Sequence, residues 1–224
     1  MVDARADYLR AMGITAYVPR QAGGTGGDAG EPEPAAAGLE WDALEAAVLE
    51  CRRCGLCGTR TQAVFGVGDR QARLMVVGEA PGAEEDRQGE PFVGRAGQLL
   101  NSMLRAAGFA RSQVYIANIL KCRPPNNRDP RPEEVEHCLP YLSRQLELID
   151  PALILCVGRI AAQNLLGTDV TIGRLRGTVH RLSTGRPVVV TYHPAYLLRS
   201  PGEKRKAWDD LKLALRTLGR GHSA

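Results

Sequence analysis

Three side chains with useful chemistry stand within two residues of the ends of short apolar runs of this chain: Glu79 after 74–77, Asn118 after 114–117 and His193 after 188–191. Glu79 precedes Ala80-Pro81-Gly82, a tight turn that brings backbone amides near a ligand, so its carboxylate could orient or polarise a water. Asn118 pairs an acceptor with a donor, the fork needed to read a base edge. His193 is biased to an extended backbone by Pro194 and could stabilise an anionic leaving group. Phe92, one of three phenylalanines, lies in Gly89-Glu90-Pro91-Phe92-Val93-Gly94 and could stack on a planar ligand. Singly, each has a plainer reading: a loop acid, a turn asparagine bonding the backbone, a surface histidine, a core anchor for its loop.

The six cysteines form a second group. Cys51-x-x-Cys54 has metal-ligand spacing, and Cys122 and Cys138 frame a second, looser pair. Four thiolates suit structural zinc or an iron–sulfur cluster, and spacing alone leans to zinc, which tolerates almost any separation of the two pairs. Cys156 reads as a small core residue and Cys57 as a spare thiol nearby.

These residues need a scaffold, and the apolar pattern supplies one. Strands are expected at 74–77, 114–117, 153–157 and 188–191. Helices are expected from Leu39, with Trp41, Leu44 and Val48 on one face, and at 96–107, 132–149, 160–166 and 204–218. Pro140 should kink or break the helix at 132–149. Strand–helix alternation with apolar strands argues for an α/β fold, a parallel sheet covered on both faces, in which ligands sit at the carboxyl ends of the strands. Three of those ends carry Glu79, Asn118 and His193.

Composition bounds the rest. The 224 residues are 44% hydrophobic and 24% charged, a globular profile. No apolar stretch approaches membrane-spanning length and the N-terminus lacks an apolar leader, so a soluble, cytoplasmic protein is expected, with a monomer as the simplest state. Residues 1–50 carry a net charge of −6 and the remainder +10. A basic body suits a polyanion, although an ordinary solvated surface would carry the same sum. Residues 21–38, rich in Gly, Pro and Ala, read as a linker, which divides the chain into an extension at 1–38 and a domain at 39–224.

Taken together, the motifs resemble family 4 uracil-DNA glycosylases, the iron–sulfur branch of that superfamily. The stretches that carry the resemblance are Cys51-Arg52-Arg53-Cys54, VVGEAPGAEEDRQGEPFVGRAGQLLN (76–101), YIANILKCRPPNNR (115–128), Cys138 and HPAYLLR (193–199), in order over roughly 45–218. The resemblance implies a four-stranded, mainly parallel sheet flanked by helices, and a [4Fe–4S] cluster on Cys51, Cys54, Cys122 and Cys138 rather than zinc. It implies hydrolysis of the N-glycosidic bond of uracil in DNA, with Phe92 stacking on the flipped base and Asn118 reading it. His193 would stabilise the leaving group, and Glu79 with the backbone at Ala80 and Pro81 would line the site. Glu85 would crowd the C5 side against a thymine methyl. Uracil-containing DNA is then the partner of the basic body. Lys121, Arg123, Asn127, Arg128 and Arg199 are the expected backbone contacts, and Leu197 or Leu198 the wedge that fills the gap left by the base. A non-catalytic nucleic-acid-binding module would need no such pocket, and an electron carrier would explain neither pocket nor charge. Outside this region, Tyr8-Leu9-Arg10-Ala11-Met12-Gly13-Ile14-Thr15 resembles the N-terminal peptide by which the psi subunit of the bacterial replicative polymerase docks on its clamp loader. That resemblance implies a replication-machinery contact through residues 8–18.

Overall fold

A computed structural model describes residues 36–219, which lie within one compact unit, Pro34–Ala224. The docking segment expected at residues 8–18 lies outside the described residues. Ala36, assigned to the linker by composition, is buried in the core. No helix among the described residues is long and apolar enough to cross a membrane.

The strands are β1 (Val67–Gly68), β2 (Leu74–Gly78), β3 (Tyr115–Asn118), β4 (Leu153–Val157), β5 (Val179–Arg181) and β6 (Pro187–Thr191). They form one sheet in the order β1-β3-β2-β4-β6-β5. The central four, β3-β2-β4-β6, are parallel, as expected, while β1 and β5 add antiparallel edges that the resemblance did not imply. From β2 the chain steps to β3 on one side and later returns to β4 on the other. The winding therefore reverses at β2, and the crevice at its carboxyl end is the place where such sheets hold ligands.

Both faces of the sheet are buried, which is why the central strands read as continuous apolar runs rather than alternating ones. Met75, Val77, Ile154, Cys156, Val188 and Val190 face one core, with the helices α1 (Trp41–Leu49) and α4 (Pro132–Ile149). Leu74, Val76, Leu153, Leu155, Val157 and Val189 face the other, with α3 (Arg95–Ala106) and α8 (Lys204–Thr217). Shorter helices complete the layers: α2 (Ala83–Gln88), α5 (Arg159–Leu166), α6 (Ile172–Leu175) and α7 (Pro194–Arg199).

Pro140 does not end α4, which runs unbroken to Ile149. A proline there removes a hydrogen bond and costs about 3 kcal/mol. Val135, Leu142, Leu146 and Ile149 on the same helix are buried, and each burial returns roughly 1.5–3 kcal/mol. Tertiary packing outweighs the local penalty.

Candidate active site

The pocket forms where β2 and β3 end side by side, with Gly78 opposite Asn118. A cavity of about 450 Å³ there is lined by Glu79, Ala80, Pro81, Glu85, Phe92, Asn118 and His193, with Asn127, Arg128, Tyr196 and Arg199 among the outer residues. Gly78 has no side chain for a steric reason. A Cβ at that position would lie 2.4 Å from Asn118 Oδ1 and 2.6 Å from Phe92 Cζ. Asn118 is almost wholly buried, yet its Oδ1 has no hydrogen-bond partner. An orphaned buried acceptor costs about 1–3 kcal/mol, so its natural complement is a donor brought by a ligand.

Phe92 adopts a left-handed backbone, φ 56°, which costs a residue with a side chain roughly 1–2 kcal/mol. Three neighbours hold it there. Glu85 Oε1 accepts the amides of Val93 and Gly94, each at 3.0 Å, while its Oε2 accepts that of Gly82 at 3.1 Å. Arg111 donates to Pro91 O at 2.6 Å and to Asn101 Oδ1 at 3.1 Å. Gly97, inside α3, lets the Phe92 carbonyl approach so closely that a Cβ would meet it at 1.8 Å. The ring then lies 5.6 Å from that of His193, tilted by 31°.

His193 precedes α7, and its Nδ1 accepts the Ala195 amide at 3.1 Å. Burial, aided by the nearby Arg199 charge, pulls its pKa down to about 4. The ring is therefore neutral at pH 7. With Nδ1 accepting, its proton belongs on Nε2, which becomes a donor. Burial pushes the Glu79 carboxyl up to about 7, with the Asp129 charge adding to the rise and Arg159 opposing it.

Of the expected DNA contacts, Asn127, Arg128 and Arg199 reach the pocket wall. Arg128 also forks onto the buried carboxylate of Glu134, and Arg123 donates to Asn127 Oδ1 at 2.8 Å. Two expectations are corrected. Lys121 is 1% exposed, with its ammonium enclosed by carbonyl groups, and cannot reach a phosphate. Leu197 is likewise buried, facing inward from α7 among the core side chains, which leaves the exposed Leu198 as the wedge candidate. Sequence reasoning missed Arg111, Gly97 and Tyr196. Only Gly97 had a local signal, a glycine within a helical pattern.

The cysteines gather beside the pocket. Cys51 follows α1, Cys54 opens a short 3-10 turn (Gly55–Gly58), Cys122 follows β3 and Cys138 lies on α4. Arg60 donates to Cys122 Sγ at 2.8 Å and to the carbonyls of Leu49 and Cys51, and the Lys121 amide donates to Cys138 Sγ at 3.1 Å. Burial pushes the Cys122 thiol up and that of Cys138 up to about 12, with neighbouring cysteines adding to both rises. Among the described residues, no three metal-binding side chains converge as a single ion would require.

Sheet and pocket together define the class, a doubly wound α/β protein in which Phe92, Asn118 and His193 converge on one pocket at the carboxyl ends of the strands. The chain matches the family model described as Uracil DNA glycosylase superfamily over residues 65–212. A Type-4 uracil-DNA glycosylase of Archaeoglobus fulgidus is 50% identical over 172 residues, covering 74% of this chain and 86% of the relative. The Type-4 uracil-DNA glycosylase of Thermotoga maritima is 46% identical over 154 residues, covering 68% and 80%. That of Sulfurisphaera tokodaii is 41% identical over 173 residues, covering 74% and 79%. The chain belongs to the uracil DNA glycosylase superfamily, on its type-4 branch.

Proposed function

We propose that the chain hydrolyses the N-glycosidic bond of uracil in DNA, releasing the free base and leaving an abasic site, the opening step of base excision repair. The observation that carries this reading is the buried, unpartnered Oδ1 of Asn118 beside the Phe92 ring. The target nucleotide leaves the stack and its base enters the pocket. Phe92 stacks on the ring, Asn118 Oδ1 accepts from N3–H, and the amide nitrogen donates to O4. Cytosine presents neither partner: its N3 lacks a proton and its 4-position bears a donor.

As the C1′–N1 bond breaks, its electron pair moves onto the base and negative charge builds at O2. The neutral His193 donates from Nε2 to that oxygen, a contribution worth roughly 3–4 kcal/mol for one well-placed donor. Glu79, as a carboxylate, orients the water that adds to C1′ and receives its proton. Leu198 fills the space vacated in the duplex, while Arg123, Asn127, Arg128 and Arg199 meet the backbone.

The same reading assigns Cys51, Cys54, Cys122 and Cys138 as ligands of a [4Fe–4S] cluster. What supports it is an all-sulfur donor set in the spacing of the type-4 relatives' branch, and two N–H groups aimed at sulfur, from Arg60 to Cys122 and from Lys121 to Cys138. When bound, the cluster supplies a rigid tie between α1, the segment after β3, and α4.

The test is strand cleavage. End-labelled DNA carrying one uracil, treated with the protein and then alkali, should break at uracil and not at a thymine control. Asn118→Ala and His193→Ala should each slow the break by roughly 10²–10³-fold. Intact DNA after treatment with iron-loaded protein would refute the reading.

A further inference from the structure

Lys121 occupies an unusual place for a lysine. Its ammonium has three protons and meets three acceptors: Phe65 O at 3.2 Å, Asn118 O at 3.1 Å and Gln145 Oε1 at 2.6 Å. Gln145, also fully buried, spends its two amide protons on Phe65 O and Tyr115 Oη, both at 3.1 Å. Every proton of the ammonium and of the amide is thus paired. The Ile119 amide bonds Gly78 O at 2.9 Å, so the Asn118 carbonyl of the same peptide points away from β2, to the side where β1 pairs no further than Ile116, and the Lys121 ammonium takes the place of the missing rung.

The Asn118 side chain cannot fix its own direction through Oδ1, which has no partner. Its aim is set by its backbone, whose carbonyl is held by Lys121. The other end of the same residue faces the cysteines: the Lys121 amide donates to Cys138 Sγ at 3.1 Å, and Cys122 follows directly in the chain. None of the three acceptors is a carboxylate. The residue is bonded on one side to the base-reading strand end and on the other to a cysteine sulfur.

We propose that Lys121 is a positioning residue for base recognition: its ammonium aims Asn118 through that residue's carbonyl while its amide bonds Cys138 Sγ, so that the two sites are linked through one residue. The first half deepens the proposed glycosylase reading and rests on it; the second half does not.

A double-mutant cycle tests the first half. Lys121→Met should lower the single-turnover rate at saturating DNA by about 30- to 100-fold, the scale of a misaimed hydrogen-bonding group, with little change in DNA affinity. In an Asn118→Ala background the same substitution should cost less than about threefold, because the group it aims is gone. Gln145→Leu removes one of the three acceptors and keeps the cation. It should show the same non-additivity at smaller size, and it serves if Lys121→Met does not fold. Equal losses in both backgrounds would overturn the positioning role, since a merely structural defect is additive. The midpoint potential of the iron-loaded protein tests the second half. Loss of a positive charge beside Cys122 and Cys138 should make reduction harder and move the potential negative, and an unchanged potential would overturn the link. If the parent chain excises no uracil, the glycosylase reading itself fails, while the potential still decides the link.

Discussion

Burial lifts the carboxyl of Glu79 from 4.5 to about 7, so the residue proposed to orient water is half protonated near neutrality. A carboxylate is the working form, and the single-turnover rate should therefore fall below pH 7. Glu79→Gln should lose most activity and, with it, that acid limb. The same shift has a consequence for stability. Because the folded pKa is raised, the group's contribution is fully present below about 4.5 and is lost as pH rises through about 7. Glu79→Gln should therefore stabilise the fold by roughly 1–3 kcal/mol at pH 8 and by much less at pH 5. Urea unfolding at the two pH values measures the difference, and equal effects would show that burial does not strain this acid. His193 works in the opposite sense. Its lowered pKa gives stability that is present above 6.5 and lost as pH falls through about 4.

Among the elements, the turn at α2 and the loop bearing Phe92 are joined by one carboxylate. Glu85 accepts three backbone amides, from Gly82, Val93 and Gly94. Glu85→Ala should cost about 2–3 kcal/mol of stability, since charged acceptors make the stronger hydrogen bonds. It should also slow uracil excision by freeing Phe92, with no gain of thymine excision. A gain on thymine, followed on paired substrates, would instead identify Glu85 as the barrier at the C5 side. Legibility follows the same physics. The run 153–157 was readable because a strand buried on both faces is apolar throughout, and the expected bounds are those observed. β1 and β5 were not, because strands of two and three residues at an edge carry no pattern. The pocket residues were readable at strand ends, where position and chemistry coincide. Lys121 was misread because it stands among Arg123, Arg128 and other cations in the chain, whereas its burial is decided by Phe65 and by Gln145, each distant in sequence. The inward turn of Leu197, beside the exposed Leu198, depends in the same way on how α7 docks.

For the molecule as a whole, the pocket draws on residues from Glu79 to Arg199. A chain beginning at residue 36 should retain uracil excision at close to the parent rate, and loss of excision would place part of the site in the first 35 residues. DNA binding by either form should weaken steeply with salt, as the net +10 beyond residue 50 releases counterions. The order of the strands also sets a timetable for synthesis. β2 acquires β3 as a neighbour after some 40 residues, but its other edge waits for β4, since Leu74 pairs with Leu153, 79 residues further along. At ~5–20 residues per second, the ribosome takes about 4–16 s to make that second partner. Through that interval the apolar edge of Leu-Met-Val-Val is open on the nascent chain, and the half-built pocket already has its glutamate and asparagine but not its histidine.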